Sequence, residues 1–246
     1  MMQSIIEQLN DDANYYGELG RNFLSNSDIR SLLKDPRSFK QPQPESKPLI
    51  EGRYFHTQLL EPEKVKDIEV VDASTRNTNI YKDAVAKSKS DMLLLRSEAE
   101  EIDAIVSAMK SNFRFYELIY GDNNTHEVPN VQEIKGAMWK GKADVVNHSE
   151  GLVIDLKTTQ NIDDFRWSAR KNNYDSQAYL YQMLFGYPVL FLVAEKGTGR
   201  LGIYNVSEDF LRGGEEKVEQ ALDVYHRFYG EHATEDIDNY FFSETL

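Results

Sequence analysis

The stretch from residue 140 to residue 159, KGKADVVNHSEGLVIDLKTT, is the part of this chain that most constrains its fold. Two short segments in it, 143–146 and 152–156, are rich in β-branched and apolar residues. Between them lies the turn-forming run NHSEG. This pattern predicts two strands joined by a tight turn and buried on both faces. We therefore expect a β-hairpin in the core.

Three charged residues interrupt this apolar hairpin: Asp144, Asp155 and Lys157. Side chains alternate along a strand, so Asp155 and Lys157 point to one face and Leu156 to the other. If the two strands pair, Asp144 lies beside Asp155, and two carboxylates and an ammonium converge at one end of a sheet. A buried carboxylate is costly unless it is paired or binds a cation.

Carboxylate ligands of this kind suit Mg²⁺, with Mn²⁺ as a substitute. Asp144 and Asp155 are predicted to hold the ion, helped by the backbone carbonyl of Leu156. The ion would lower the pKa of a bound water for phosphodiester hydrolysis. Lys157 is predicted to orient that water or to stabilise the transition state. The alternative is a structural Asp–Lys pair at a strand end, because D-x-K is a very short pattern.

Several motifs, taken together, resemble the PD-(D/E)XK nuclease superfamily, and more closely its RecB-like and RecE-like (exonuclease VIII-type) phage exonuclease branch. They are G-K-A-D at 141–144, I-D-L-K-T-T at 154–159, Q-A-Y-L-Y at 177–181, F-L-S-N-S-D-I at 23–29 and G-R-Y-F-H-T-Q-L-L-E-P at 52–62. Ala143 departs from the pattern, which has proline before the first aspartate. The resemblance implies an α/β fold. Its restriction-endonuclease-like core has a mixed β-sheet flanked by helices, with a helical region N-terminal to it.

The resemblance also implies roles for residues outside the hairpin. His56 is predicted to reach the metal or a bound phosphate; the alternative is an ordinary core or surface histidine. Glu127 fits best as an accessory metal-binding carboxylate by its E-x-P context, and Glu133 is the alternative because it is nearer to the first aspartate. Gln177 and Tyr181 share one helix face. They are predicted to face the active site and to contact DNA or orient the catalytic lysine.

The distribution of charge bears on nucleic-acid binding. A net charge of −13 argues against a general nucleic-acid coat protein. Between residues 135 and 171, however, seven basic residues stand against five acidic ones. Arg166, Arg170 and Lys171 are interleaved with Trp167 and are predicted to bind DNA. The alternative is an amphipathic connector with Trp167 in the core.

Length and composition set the organisation. We expect a helical N-terminal region and Pro-rich loop at 1–50, a nuclease domain at 51–230 and an acidic tail at 231–246. The chain has no cysteine, which excludes disulfides and thiolate zinc sites. It has no apolar run of membrane-spanning length and no signal pattern. We therefore expect no membrane partner and a cytoplasmic location, in the host if the protein is phage-encoded.

The function expected is that of a Mg²⁺-dependent exodeoxyribonuclease that hydrolyses double-stranded DNA, in phage-type recombination or DNA processing. The exonuclease activity and the role in recombination are implied by the resemblance, which also implies a homo-oligomeric ring and a recombination partner protein. One alternative is a single-strand or flap nuclease of the same fold. Another is a non-catalytic DNA-binding or assembly protein with a nuclease fold.

Four local predictions concern the surroundings of the hairpin. Residues 37–49 are expected to form an exposed or disordered loop, and 75–89 a mobile segment able to act as a lid. Residues 90–120 are expected to be the longest helical region. A final helix at 207–229 is expected to be interrupted near Gly213 and Gly214.

Overall fold

The computed structural model describes residues 2–243. The helices are α1 (Met2–Gln8), α2 (Asp12–Tyr16), α3 (Glu18–Arg21), α4 (Asn26–Lys34), α5 (Lys47–Leu60), α6 (Asn79–Lys87), α7 (Arg96–Ser111), α8 (Phe113–Tyr120), α9 (Phe165–Lys171), α10 (Tyr174–Phe185) and α11 (Glu208–Phe228). The strands are β1 (Val70–Val71), β2 (Leu94–Leu95), β3 (Asn124–Ile134), β4 (Ala137–Asn147), β5 (Leu152–Thr159), β6 (Val189–Glu195) and β7 (Leu201–Asn205). Short 3₁₀ helices occupy Pro36–Ser38, Pro62–Asp67 and Ile237–Asn239.

A five-stranded mixed sheet forms the centre of the molecule, in the order β3-β4-β5-β6-β7. Strands β5 and β6 are parallel, and the other three neighbouring pairs are antiparallel. The parallel pair is connected through α9 and α10, as a parallel pair requires a crossover. The predicted mixed sheet flanked by helices is confirmed.

Helices cover both faces of this sheet because β6 is apolar at every position but its last. Phe191 and Val193 face one core, which includes buried residues of α4, α10 and α11. Leu190 and Leu192 face the opposite core, to which α5, α7 and α8 contribute. Strand alternation thus divides one sequence run between two hydrophobic layers. Each layer holds one of the helices that reach the carboxylates of the hairpin.

Helix α11 continues through Gly213 and Gly214, so the predicted interruption is wrong. The glycines instead permit a close crossing of α10 and α11. A Cβ on Gly214 would lie 2.1 Å from the carbonyl oxygen of Asp175, a backbone atom in α10 that cannot move aside. Packing therefore outweighs the low helix propensity of glycine.

Three further local predictions need correction. Helix α5 begins at residue 47, so the loop after α4 is shorter than expected and contains a 3₁₀ turn. The 75–89 segment contains α6, whose Tyr81 is buried and donates a hydrogen bond to the Leu93 carbonyl. The 90–120 region consists of β2, α7 and α8, because Leu94 and Leu95 pair with β1 in a small parallel sheet. Tertiary pairing outweighs helical periodicity there.

The N-terminal helices α1–α3 pack on the outer part of β3 and β4. Their small core contains Leu9, Tyr15 and Phe23 together with Val131 of β3. Leu24 then pairs with β4 beside Trp139, through backbone bonds to Met138 and Lys140. Residues 2–24 are thus tied to the strand that carries Asp144.

Candidate active site

The hairpin brings the two aspartates together as its sequence predicts. Strands β4 and β5 pair Val145 with Ile154, which places Asp144 beside Asp155. The backbone N–H of Leu156 donates a 2.6 Å hydrogen bond to Asp144 Oδ2. Both aspartates are buried, and Asp155 is only 1% exposed.

Strand β3 adds Glu127 to this pair. The β3–β4 register runs from His126 opposite Val145 to Val128 opposite Ala143, so Glu127 faces Asp144. Glu127 has a φ of 50°, in the left-handed region that is costly for a residue with a side chain. Strained backbone of this kind persists where the surroundings enforce it, and it concentrates at functional sites.

Glu133, the alternative accessory carboxylate, lies elsewhere. It pairs with Met138 near the β3–β4 turn and is exposed. Sequence distance to the first aspartate was a poor guide, because the antiparallel register returns the chain to Asp144 only at Glu127. Of the two candidates, the structure brings only Glu127 to the hairpin aspartates.

Helix α5 supplies His56 from the face that packs on β5. Its Nε2 lies 2.9 Å from the Leu156 carbonyl oxygen, so Nε2 must be the donor. In a neutral imidazole the lone pair is then on Nδ1. Nδ1 lies 3.6 Å from Asp144 Oδ1, so in the neutral imidazole its lone pair faces a carboxylate oxygen. Acceptors turned toward one another are stabilised by a cation between them.

One ligand atom each from His56, Glu127 and Asp144 lie within 4.8 Å of one another. Two carboxylates and an imidazole nitrogen form a donor set suited to a divalent cation. Burial, followed by the charge of Asp144, raises the pKa of Glu127 to about 8, so the metal-free cluster disfavours a second carboxylate charge. The residues present therefore fit a divalent ion.

Asp155 lies next to this cluster and has partners of its own. Gln177 Nε2 donates to its Oδ1 at 2.7 Å, and Lys157 Nζ forms an ion pair with its Oδ2. Burial raises the pKa of Asp155 to about 6 although Lys157 opposes that shift. Burial also disfavours the charged ammonium of Lys157, but Asp155, Tyr174 and Asp144 outweigh it and its pKa lies above the ordinary value.

Gln177 and Tyr181 share a face of α10 but have different surroundings. Gln177 reaches Asp155, as just described. Tyr181 is buried and donates a 2.7 Å hydrogen bond to the Lys142 carbonyl in β4. Its hydroxyl therefore fixes α10 to the sheet, and the catalytic and DNA-contacting role of Tyr181 stays a prediction.

The remaining predicted ligand is the Leu156 carbonyl. It lies at the site, with one lone pair already occupied by the hydrogen bond from His56. The backbone N–H of Leu156 therefore orients Asp144, and its backbone C=O orients His56. The Leu156 backbone thus links two predicted metal ligands, while the Leu156 side chain packs in the core to which α5, α7 and α8 contribute.

The helix that carries His56 is also held by two buried glutamates and their cations, defined here as the anchoring network: Lys47, Glu51, Arg76, Glu98 and Lys196. Lys196 donates to Glu51 Oε2 at 2.5 Å. Arg76 donates to both carboxylate oxygens of Glu98, at 2.6 and 2.8 Å. Lys47 lies within 3.4 Å of Glu51 and 3.1 Å of Glu98. These contacts join α5 to α7 and to the residue that follows β6.

The sequence comparison decides the family. A model described as a PDDEXK-like domain of unknown function (DUF3799) matches residues 25–234. The chain belongs to this PDDEXK-like family. The match covers α4 to α11 and therefore includes every residue of the cluster. No curated protein matches the sequence.

One solved structure shares the fold of this PDDEXK-like domain. The crystal structure of a candidate exonuclease from Eubacterium rectale aligns with a TM-score of 0.67, over 96% of this chain and 95% of that one. At 18% identity this similarity shows a common fold. A phage-related exonuclease from Haemophilus somnus 129PT aligns over 83% of this chain and 94% of that one, at 14% identity and a TM-score of 0.37.

The predicted DNA-binding residues of the PDDEXK-like domain lie on α9. Arg166 and Lys171 are exposed, and the Arg166 guanidinium lies 5.0 Å from the Trp167 ring. Trp167 is 69% exposed, so it is not the core residue of the alternative interpretation. Arg170 forms an ion pair with Asp209 at 2.6 Å and stacks on Phe210, so it is engaged within the protein.

Sequence reasoning overlooked Lys142. It lies two residues before Asp144, and strand alternation alone places both side chains on one face. Its ammonium acts on Glu127 and lowers the pKa of that carboxyl, whereas burial and Asp144 raise it.

Within residues 2–243, no helix is both long and apolar enough to cross a membrane.

Proposed function

We propose that this protein is a divalent-metal-dependent deoxyribonuclease that degrades double-stranded DNA from its ends, with Mg²⁺ as its ion and Mn²⁺ as a substitute. The observation that carries the proposal is the opposition of acceptor atoms at His56, Glu127 and Asp144. It lies directly beside a buried Asp155–Lys157 pair. A purely structural Asp–Lys pair does not require three more metal-type ligands turned toward it.

Two groups of residues divide the work. His56, Glu127 and Asp144 would hold the ion, with Asp155 and the Leu156 carbonyl next to them. A bound divalent ion lowers the pKa of a coordinated water and neutralises charge on phosphate oxygens. Gln177 fixes the orientation of the Asp155 carboxylate through its 2.7 Å hydrogen bond. Burial of the aspartates reduces solvent screening of all these charges.

Lys157 supplies a positive charge that would act on the attacking water or on the phosphate of the substrate. Its ammonium is 14% exposed and lies 4.7 Å from the centre of the Tyr174 ring. Asp155 and Tyr174 hold it in place on the side of the sheet that carries the carboxylates. From there it would orient the attacking water or stabilise charge developing on the phosphate.

The finer parts of the proposal rest on likeness. The Eubacterium rectale protein, described as a candidate exonuclease, has the same fold along nearly its whole length. The RecE-like resemblance adds duplex DNA, a role in recombination or DNA processing, a partner protein and a ring of subunits. A cytoplasmic site of action suits that role. Arg166 and Lys171 on α9 are our candidates for contacts with DNA outside the cleft.

A nuclease assay tests this function. Linear duplex, covalently closed circular duplex and single-stranded DNA are incubated with the protein in Mg²⁺ or in EDTA. We expect Mg²⁺-dependent loss of linear duplex and persistence of the closed circle. Cleavage of the circle would indicate an endonuclease, and preference for single strands would indicate a single-strand or flap enzyme. Binding without cleavage would favour the non-catalytic alternative.

A matched pair of variants links that activity to the cluster. Glu127→Gln removes a carboxylate charge opposite Asp144, whereas Glu133→Gln makes the same change at an exposed position of the same strand. We expect loss of activity in the first and wild-type activity in the second. Equal activity in both variants would remove Glu127 from the site.

A further inference from the structure

A second lysine lies close to the proposed metal site, on the strand that carries Asp144. Lys142 and Asp144 are two positions apart on β4 and therefore project from the same face, about 7 Å apart along the strand. That separation is comparable with the distance between consecutive phosphates of a nucleotide strand. The Lys142 side chain is only 7% exposed. An ammonium so deeply enclosed requires an anionic partner.

Helix α2 encloses this ammonium. The Tyr15 and Tyr16 ring centres lie 4.6 and 5.5 Å from Lys142 Nζ, and Asp12 forms an ion pair with it. The neighbouring Lys140 is covered by the same helix, because its ammonium donates to the Tyr15 carbonyl and lies 4.1 Å from the Tyr15 ring centre. One short helix thus covers both lysines of this strand face.

Asp12 is the exchangeable member of its pair. Its side chain is 48% exposed, whereas that of Lys142 is buried. Its other cationic contact, Lys64 at 3.4 Å, is also about half exposed. Because Asp12 is half exposed, water solvates its carboxylate once another anion takes its place beside the buried Lys142, which keeps an anionic partner throughout.

The other carboxylates near Lys142 favour the displacement of Asp12. Asp12 pairs with Lys142, two positions from Asp144 on β4, so it adds a carboxylate to a region that already holds Asp144 and Glu127. A phosphate that enters this region is repelled by Asp12 and attracted by Lys142. A phosphate oxygen is a stronger partner for an ammonium than a solvent-exposed carboxylate, because it forms charge-assisted bonds and carries its charge over several oxygens.

We propose that Lys142 binds a backbone phosphate adjacent to the scissile one, and that Asp12 occupies Lys142 as an internal anion until that phosphate displaces it. This inference rests on the proposed function. It assigns the N-terminal helix α2, which lies outside the family match at residues 25–234, to the substrate cleft. Its consequence is an exchange of partners at Lys142 when DNA binds.

A double-mutant cycle tests this exchange. Binding of a short blunt-ended DNA duplex is measured in Ca²⁺, across a range of salt concentrations, for wild type, Asp12→Asn, Lys142→Met and the double variant. Asp12→Asn should tighten binding about two- to fivefold at low salt. Lys142→Met should weaken binding and reduce the slope of log affinity against log salt by about 0.9. In the double variant the gain from Asp12→Asn should vanish.

Controls separate the exchange from general electrostatics and from misfolding. Glu18→Gln removes a nearby exposed acidic charge, and Lys82→Met an exposed basic one on α6. Neither should change the affinity beyond experimental error. Melting curves should show that all variants are folded, and Mn²⁺ affinity should be unchanged in Asp12→Asn.

The outcomes distinguish this inference from the proposed function. If wild-type protein binds duplex but Asp12→Asn weakens binding, or tightens it equally with and without Lys142, the exchange is wrong and the nuclease proposal stands. An unchanged salt slope in Lys142→Met also contradicts it. If wild-type protein neither binds nor cleaves DNA, both the proposed function and this inference fail.

Discussion

Two groups of buried carboxylates contact the same helix and are treated by the protein in opposite ways. Glu51 and Glu98 of the anchoring network are balanced by Lys47, Lys196 and Arg76. Burial raises the pKa of Glu98, but Arg76, the Leu95 N–H and Lys47 outweigh it and bring it down to about 2. At the hairpin, burial dominates and the pKa values of Asp155 and Glu127 rise to about 6 and about 8.

The difference teaches how to tell a structural charge cluster from a functional one. The anchoring network is neutralised by cations of its own chain, and it holds the helix from which His56 reaches the sheet. The hairpin cluster pairs carboxylates with one another and with an imidazole lone pair. Lys157 offsets the charge of Asp155, and a divalent cation from outside would stabilise the acceptors of His56, Glu127 and Asp144. Lys47, Arg76 and Lys196 thus neutralise the glutamates that position α5. The cluster of His56, Glu127 and Asp144 has fewer cations than acceptor groups.

The largest expected effect is at the hairpin. Asp155→Ala should abolish hydrolysis and leave the fold intact, because it removes a buried charge from an apolar strand rather than a core contact. Nuclease activity is measured together with the circular dichroism spectrum and the melting temperature. Full activity in a folded Asp155→Ala protein would contradict the assignment of this site.

Lys157→Ala should lower turnover on the order of a hundredfold or more, as removal of other electrostatic stabilisers does. Mn²⁺ affinity should be retained, because the ammonium acts on the water and the transition state. Lys157→Arg should restore little activity, since a planar guanidinium does not replace a compact charge. A variant that lost metal affinity but kept its rate at saturating metal would assign Lys157 a different role.

The anchoring network should respond through stability. Arg76→Ala leaves the Glu98 carboxylate poorly partnered and should lower the free energy of unfolding by about 2 kcal/mol, reduced from the fully buried case because Arg76 is partly exposed. Arg212→Ala, which breaks an exposed pair with Asp209, is the matched control and should stay within about 0.5 kcal/mol. Urea denaturation measures both. Equal effects would show that the network is no more than a surface feature.

The last expected effect is a pH dependence of stability in EDTA. Glu127 and Asp155 have raised pKa values when folded, so the unfolded chain releases their protons first as the pH rises. Their contribution to stability is therefore present below about pH 4 and is lost between about pH 4 and pH 8. Unfolding in urea at several pH values should show this decline, and Glu127→Gln should reduce it. Saturating Mn²⁺ should also counteract it.

The sequence predicts the hairpin and its three charged residues because strand alternation and β-branched composition are local properties. It also places His56 and Glu127 among the ligands through a family likeness. Local patterns did not reveal that the Tyr181 hydroxyl donates a hydrogen bond to the Lys142 carbonyl. They also missed the continuity of α11 at Gly214, since both depend on how distant elements pack. The pairing of Asp12 with Lys142 joins residues 130 positions apart, which no spacing rule connects.

The central claim is that the hairpin cluster lacks a cation and binds a divalent one. Isothermal titration of Mn²⁺ into wild-type protein and into Asp144→Asn, without DNA, tests that claim most directly. We expect saturable binding by the wild type, release of protons on binding because the raised carboxyl groups must ionise, and loss of binding in the variant. A wild-type protein that binds no Mn²⁺, or an Asp144→Asn protein that binds it equally well, would contradict the account.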